Sequence, residues 1–291
     1  MRVFLTGATG FIGSHIIPEL IGAGHQVLGL TRSDAGAQAL AAASAEPHGG
    51  DLTDLESLRS GAAKSDGVIH CGFQHDFSKF AENAEIDKRA IEALGAALAG
   101  SDRPLIVSGG IGPWAATEDD PHPEQSPTPR VSEPAAMALI PLGVSAAVVR
   151  LPQVHDTTKF GLVSPLIELA REKGVSAYIG EGLTRWPAAH VLDVARLYRL
   201  AFDQHRTGAR YHAVGEEGVT MRAIAEAVGR RLKLPVVSLS AEDAAAHFGF
   251  YAMFASIDLA SPSSLTQQRL GWRPTGPGMI TDLENMQDVG T

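Results

Sequence analysis

The 291-residue chain is 44% hydrophobic and 20% charged, ordinary proportions for a globular enzyme, and is long enough for one large α/β domain plus a smaller lobe. Its formal charge of −9 argues against a nucleic-acid or anionic-membrane surface as partner. The single cysteine, Cys71, excludes an intrachain disulfide and suits a reducing cytoplasm, the expected location. Glycines interrupt any signal-peptide core near the amino terminus. Pro134, Pro141 and Gly143 break the uncharged run at 134–149, which predicts a helix feeding a buried strand rather than a membrane span.

In chain order, Val3, Phe4 and Leu5 predict a buried parallel strand. Gly7, Gly10 and Gly13 follow at a spacing of three, and Ser14 to Gly22 predicts a helix with Ile16, Ile17, Leu20 and Ile21 on one face. Strand, glycine turn and helix in that order form the context of a dinucleotide fingerprint. Glycine serves there where the chain turns, where backbone approaches a pyrophosphate and where helix packs on strand. The pyrophosphate would sit at the helix N-terminus, on unpaired N–H groups and the positive end of the dipole. Gly7, Thr9, Gly10, Phe11, Ile12 and Gly13 are the expected cradle.

Gln26 to Leu30 predicts the second strand, ending at Thr31-Arg32-Ser33. An NAD unit places Asp or Glu here for the ribose 2′-OH, whereas Arg accommodates the 2′-phosphate of NADP. Arg32 therefore points to NADP(H); the plain alternative is a solvated arginine in a βα loop.

Ala35 to Ala45 predicts a helix, and Asp51 to Asp54 opens another with Asp51 or Thr53 as its cap. Gly67 to Cys71 reads as the fourth strand, its end Cys71-Gly72-Phe73 passing beside the cofactor. A long helix over Phe77 to Leu98 and a fifth strand at Pro104 to Val107 follow, the latter ending at Ser108-Gly109-Gly110. Residues 112–134 are proline-rich and aperiodic, which predicts an active-site loop or mobile flap. Ala146 to Leu151 is the sixth strand. Phe160 to Lys173 is a helix, Val175 to Ile179 a strand, His190 to Asp203 an amphipathic helix and Tyr211 to Val214 a seventh strand. Thr220 to Leu232 is again helical, and the chain closes on an amphipathic segment from Met279 to Met286. The fold class is α/β: a Rossmann-type doubly wound parallel sheet with a small C-terminal substrate lobe. The expected boundaries are 1–155 for the dinucleotide domain, with a returning segment at about 187–214, and 156–186 plus 215–291 for the lobe. Ligands bind outside the carboxyl ends of such strands, so residues just after strands four, five and six are the candidates.

TGATGFIG at residues 6–13 resembles the TGxxGxxG motif of extended or atypical short-chain dehydrogenases/reductases, the group containing sugar epimerases and dehydratases. Asp51-Leu52, VIHCGF at 68–73, VVRLPQVH at 148–155 and RWPAAHVLDVARLY at 185–198 carry the resemblance over nearly the whole length. It implies that Asp51 and Leu52 lie against the adenine ring, that the substrate is a small molecule, and that the long helix can build a two-helix homodimer face. Enzymes of this group usually place Ser or Thr after the fifth strand and a Tyr-x-x-x-Lys pair on the next helix. This chain has no tyrosine before Tyr178 and no lysine between Lys88 and Lys159; PRVSEPAAMAL stands in the expected region.

Some other group must then donate to the substrate oxygen. Ser108 is the first candidate, for substrate and ribose alike. His75, after strand four, can donate near neutral pH, against the alternative of a surface-loop histidine. His155 ends RLPQVH where the resemblance lines the substrate pocket. Asp87 aligns with a supporting asparagine, and in a cleft its carboxylate could relay a proton. No metal is expected: the eleven histidines show no HExxH or paired-cysteine spacing. The leading expectation is an NADPH-dependent oxidoreductase of a small ketone, aldehyde or alcohol with a non-standard proton donor. An NADP-dependent epimerase or dehydratase and a non-catalytic NADP-sensing protein are the alternatives.

Overall fold

The structure, a computed structural model, describes residues 1–126 and 128–287. Its strands are β1 (Arg2–Thr6), β2 (Gln26–Thr31), β3 (Glu46–Gly49), β4 (Gly67–His70), β5 (Ser101–Gly110), β6 (Val144–Leu151), β7 (Gln153–His155), β8 (Ser176–Ile179), β9 (Arg185–His190), β10 (Arg210–His212), β11 (Glu216–Thr220) and β12 (Val236–Leu239). The first helices are α1 (Phe11–Gly22), α2 (Asp34–Ala42), α3 (Leu55–Ala63), α4 (Phe80–Leu98), α5 (Ser132–Ala138) and α6 (Val163–Lys173). They are followed by α7 (Val191–Asp203), α8 (Met221–Leu232), α9 (Ala241–Phe248), α10 (Ala252–Ala255), α11 (Ser264–Leu270) and α12 (Met279–Glu284).

A seven-stranded sheet runs in the order β10-β6-β5-β4-β1-β2-β3, all pairs parallel. Alternation along β1 divides the core. Val3 and Leu5 pack with Ile16, Ile17 and Leu20 of α1 and Val194, Leu197 and Tyr198 of α7. Phe4 faces the opposite layer, with Leu58 of α3 and Ile91, Leu94 and Leu98 of α4. Strand order reverses between β1 and β4, and a doubly wound sheet opens its crevice at that point.

The remaining strands form a β11-β9-β7 sheet and a β12-β8 pair. Around them Phe160, Trp186, Ile224, Met279 and Leu283 build a separate apolar core. Among the described residues no helix is long and apolar enough to cross a membrane.

Local boundaries differ from the expectations where backbone chemistry overrides periodicity. The first helix starts at Phe11, three residues before Ser14, because Gly10 is its extended N-cap at φ −79°, ψ 173°. Asp54, not Asp51 or Thr53, caps α3 by accepting the Ser57 N–H; Asp51 instead accepts the N–H groups of Thr53 and Asp54. The third strand is EPHG, without a β-branched residue, and it holds Pro47 because it is the sheet edge. Phe77–Lys79 is a 3-10 turn rather than the start of the long helix.

Candidate active site

A cleft of about 1210 Å³ runs across the carboxyl ends of the central strands and up to the lobe. Its floor is the glycine turn. Gly7 has φ +66°, and a Cβ there would lie 2.8 Å from the Cys71 carbonyl and the Gly72 nitrogen. A Cβ on Gly13 would lie 2.1 Å from the Gly7 carbonyl oxygen, so α1 can rest on the turn only with glycine at that position. Ser33, Asp54 and Thr220 cap α2, α3 and α8 with side-chain oxygens. By contrast, α1 has no side-chain cap and no acidic residue in its first turn. Its first N–H groups therefore face the cleft with a positive dipole end and no acidic side chain in their own turn, a fit for a diphosphate.

At one end of the cleft lie Arg32, exposed after β2, with Asp51 and Leu52. The hydrogen bonds from Thr53 hold Asp51 below the usual carboxylate range, and the Arg32 charge adds to that. Further along, Cys71, Gly72 and Phe73 from the end of β4 meet Gly109 and Gly110 from the end of β5. Burial pushes the Cys71 thiol up to about 11, so it stays protonated and inert.

Beneath this wall runs a directional chain of hydrogen bonds. Parallel register places Thr6 beside His70. Gly72 N–H donates to Thr6 Oγ1 at 3.1 Å, and the Thr6 hydroxyl meets His70 Nδ1 at 2.7 Å. With that nitrogen accepting, His70 Nε2–H donates to Asp87 Oδ1 at 3.0 Å. Ser132 Oγ donates to Asp87 Oδ2 at 2.6 Å and accepts from Arg130 Nε at 3.0 Å. Burial raises the Asp87 carboxyl, but the His70 hydrogen bond, the Arg130 charge and the Ser132 hydroxyl outweigh it, and the net position is below the ordinary value. Asp87 is thus an ionised carboxylate in the core. Arg130 also donates from Nη2 to the Ser108 carbonyl at 3.1 Å, and its guanidinium lies 4.5 Å from the centre of the Phe73 ring. Ser132 and Arg130 both line the cleft.

A second buried charge group fixes the loop that delivers them. Arg150 of β6, fully buried, makes a two-pronged contact of 2.7 Å at each oxygen of Glu133. Arg210 of β10 adds a third bond at 2.6 Å. Arg150 Nη2 also donates to the Asp120 carbonyl at 2.5 Å. The proline-rich stretch is therefore tied to the central sheet from below, with Arg130 and Ser132 at its sheet-side end.

Comparison with known proteins agrees with this geometry. Residues 3–108 match the model of the NAD dependent epimerase/dehydratase family. An uncharacterized protein of Schizosaccharomyces pombe is 46% identical over 294 residues, covering 97% of this chain and 98% of that protein. One of Saccharomyces cerevisiae is 42% identical over 291 residues, covering 97% and 98%. Residues 3–108 thus belong to the NAD dependent epimerase/dehydratase family. Its fold is also that of a dTDP-glucose 4,6-dehydratase from Streptomyces venezuelae solved with NAD bound (TM-score 0.76, 17% identity, covering 98% of this chain and 95% of the other).

Within that epimerase/dehydratase fold, the four expected catalytic side chains separate. His75 lines the cleft, its ring edge-on to Phe73 with the ring centres 5.3 Å apart. Burial and the neighbouring Arg130 charge hold its pKa below the ordinary value. The other three do not line the cleft. Ser108 shares the face of Ile106, so its hydroxyl points down to α7, where it donates to the His70 carbonyl and meets the Tyr198 hydroxyl, both at 2.7 Å. Gly109 and Gly110 line the cleft in its place. Asp87 lies below the wall, bonded as described. His155 is fully buried in the lobe interface, with Nδ1 2.7 Å from Asp282.

All the other expected cofactor residues (Gly7, Thr9, Gly10, Phe11, Ile12, Gly13, Arg32, Asp51, Leu52, Cys71, Gly72 and Phe73) line one continuous cleft. The sequence places Ser132 where the catalytic pair would fall but gives it no role, and it does not single out Arg130. The signal present was their place in PRVSEP, where the resemblance expects its catalytic pair.

Proposed function

We propose that this chain is an NADP(H)-dependent oxidoreductase of small carbonyl or hydroxyl compounds, with Arg130 and His75 in place of the usual tyrosine and lysine. The observation that carries this reading is the first turn of α1, uncapped and free of side chains at Gly7 and Gly13, opening into the same cleft as Arg32. The α1 amides would hold the diphosphate, Asp51 and Leu52 the adenosine, and Arg32 the 2′-phosphate. Bound in this way, the nicotinamide would supply hydride exchange with the substrate carbon.

Reduction of a carbonyl leaves negative charge on oxygen. Arg130 is a permanent cation whose Nε and Nη2 are anchored by Ser132 and the Ser108 backbone, so it is fixed in place before charge develops. Asp87, reached through Ser132, orients the guanidinium and offsets part of its charge. His75, which borders the same Phe73 ring as Arg130, passes a proton to the oxygen.

NADPH oxidation followed by absorbance with a panel of ketones and aldehydes tests the reading. Turnover with at least one carbonyl class is expected; isomerisation without net cofactor consumption would instead point to an epimerase, and inertness to a binding protein. Arg32→Asp should weaken NADPH binding at least tenfold while leaving NADH nearly unchanged, and equal losses for both would remove the 2′-phosphate assignment. Because the His75 pKa lies below the ordinary histidine value of about 6.5, its protonated form is lost early. The reduction rate should fall as pH rises through a value under 6.5. His75→Asn should flatten that limb; a limb that persists unchanged excludes His75 as donor.

A further inference from the structure

We propose that the substrate end of the cleft is built for an uncharged aromatic ring carrying one carbonyl group, rather than for a sugar nucleotide. The reduction of that carbonyl rests on the function proposed above; the ring binding does not.

Past Phe73 the cleft is walled by aromatic side chains from two separate parts of the chain. Phe73, Phe77 and Phe80 follow β4, and Tyr251 and Phe254 come from the lobe. Phe77 sits 5.4 Å from Phe80 and 6.4 Å from Tyr251, both edge-on, and stacks on Phe250 at 5.7 Å and 30°. Phe73 meets Phe80 edge-on at 6.2 Å. The wall is thus one continuous aromatic surface joining the sheet domain to the lobe, and each ring is only partly covered by its neighbours.

Charge gives an independent argument. Among the described residues lining the cleft, the arginines and lysines are Arg32, Arg130, Lys159 and Arg171. Arg32 lies at the opposite end, Lys159 stands 5.6 Å over Phe11 at the start of α1, and Arg171 is paired with Glu168. Arg130 alone is left at the aromatic end. One cation suits one polarised oxygen; a second diphosphate would need several donors or charges to replace its hydration. Aromatic side chains, in contrast, bind a flat ring by edge and face contacts on top of the area buried.

Calorimetry on the protein saturated with NADP+, which cannot reduce a ketone, tests this with acetophenone, cyclohexyl methyl ketone and UDP-glucose. Acetophenone should saturate and bind roughly tenfold more tightly than its cyclohexyl counterpart, and UDP-glucose should give no saturable heat. Phe77→Ala should remove that tenfold preference while leaving NADP+ affinity intact, which also shows that the variant is folded; Tyr251→Leu should act in the same direction. UDP-glucose binding more tightly than acetophenone, equal affinities for the two ketones, or a preference unchanged in both variants would overturn the proposal. If NADP+ itself fails to bind, the functional reading falls, and the same titration on the cofactor-free protein still decides the ring preference.

Discussion

Alanine at position 13 should abolish measurable NADPH binding, raising the dissociation constant by more than about 100-fold. The added Cβ would sit 2.1 Å from the Gly7 oxygen and 3.0 Å from the Ala8 Cα, both backbone atoms that no rotamer change can move aside. Relief requires α1 to slide away from β1, against the packing of Ile16, Ile17 and Leu20 on Val3 and Leu5. Overpacking of this kind costs about 1–3 kcal/mol of stability. The larger loss falls on the first-turn amides, which would no longer converge on one diphosphate. Gly22→Ala is the matched control: it adds a methyl to the same helix with nothing within 4 Å. Titration of both variants, with circular dichroism to show that the helices persist, checks the contrast. Near-native affinity in Gly13→Ala would mean that this turn does not hold the cofactor.

Loss of Arg130 should be the most damaging change to turnover. Arg130→Ala is expected to lower kcat by about 100- to 1,000-fold, the usual consequence of removing one preorganised group facing a developing oxyanion. NADPH affinity should change little, because the guanidinium contacts Phe73, Ser132 and the Ser108 backbone rather than the α1 turn. Arg130→Lys should recover only part of the rate. An ammonium keeps the charge but cannot span Ser132 Oγ and the Ser108 carbonyl with one planar fork. Steady-state ketone reduction, paired with NADPH titration, separates the two effects. A kcat within threefold of the unmodified chain for Arg130→Ala would assign the oxyanion role elsewhere.

The parts of this molecule that were readable in sequence are those encoded by short spacings. Three glycines, the apolar run at Val3 to Leu5 and the arginine after β2 each depend on neighbours within a few residues; the glycines and Arg32 meet in the cleft, and the apolar run lies in the core beneath it. The third strand was not legible, since an edge strand needs little apolar character and EPHG has none of the usual β-formers. The polar wall was hidden for a different reason. Thr6, His70, Asp87 and Ser132 are brought together by sheet register and by α4 packing on the sheet, with separations of up to 64 residues between bonded partners. Local patterning carries no trace of such a chain.

His155 and Ser108 show the opposite case. Both stand near the ends of strands, where function is common, yet one is covered by Asp282 from 127 residues downstream and the other faces inward by strand parity. A strand end narrows the search to a few positions, and side-chain direction then decides among them.

The most direct measurement is calorimetric titration of the unmodified apoprotein with NADPH and with NADH at the same ionic strength. A single saturable site, at least tenfold tighter for the phosphorylated dinucleotide, is the result that the α1 amides and Arg32 require. No saturation by either dinucleotide would contradict the assignment of this cleft outright.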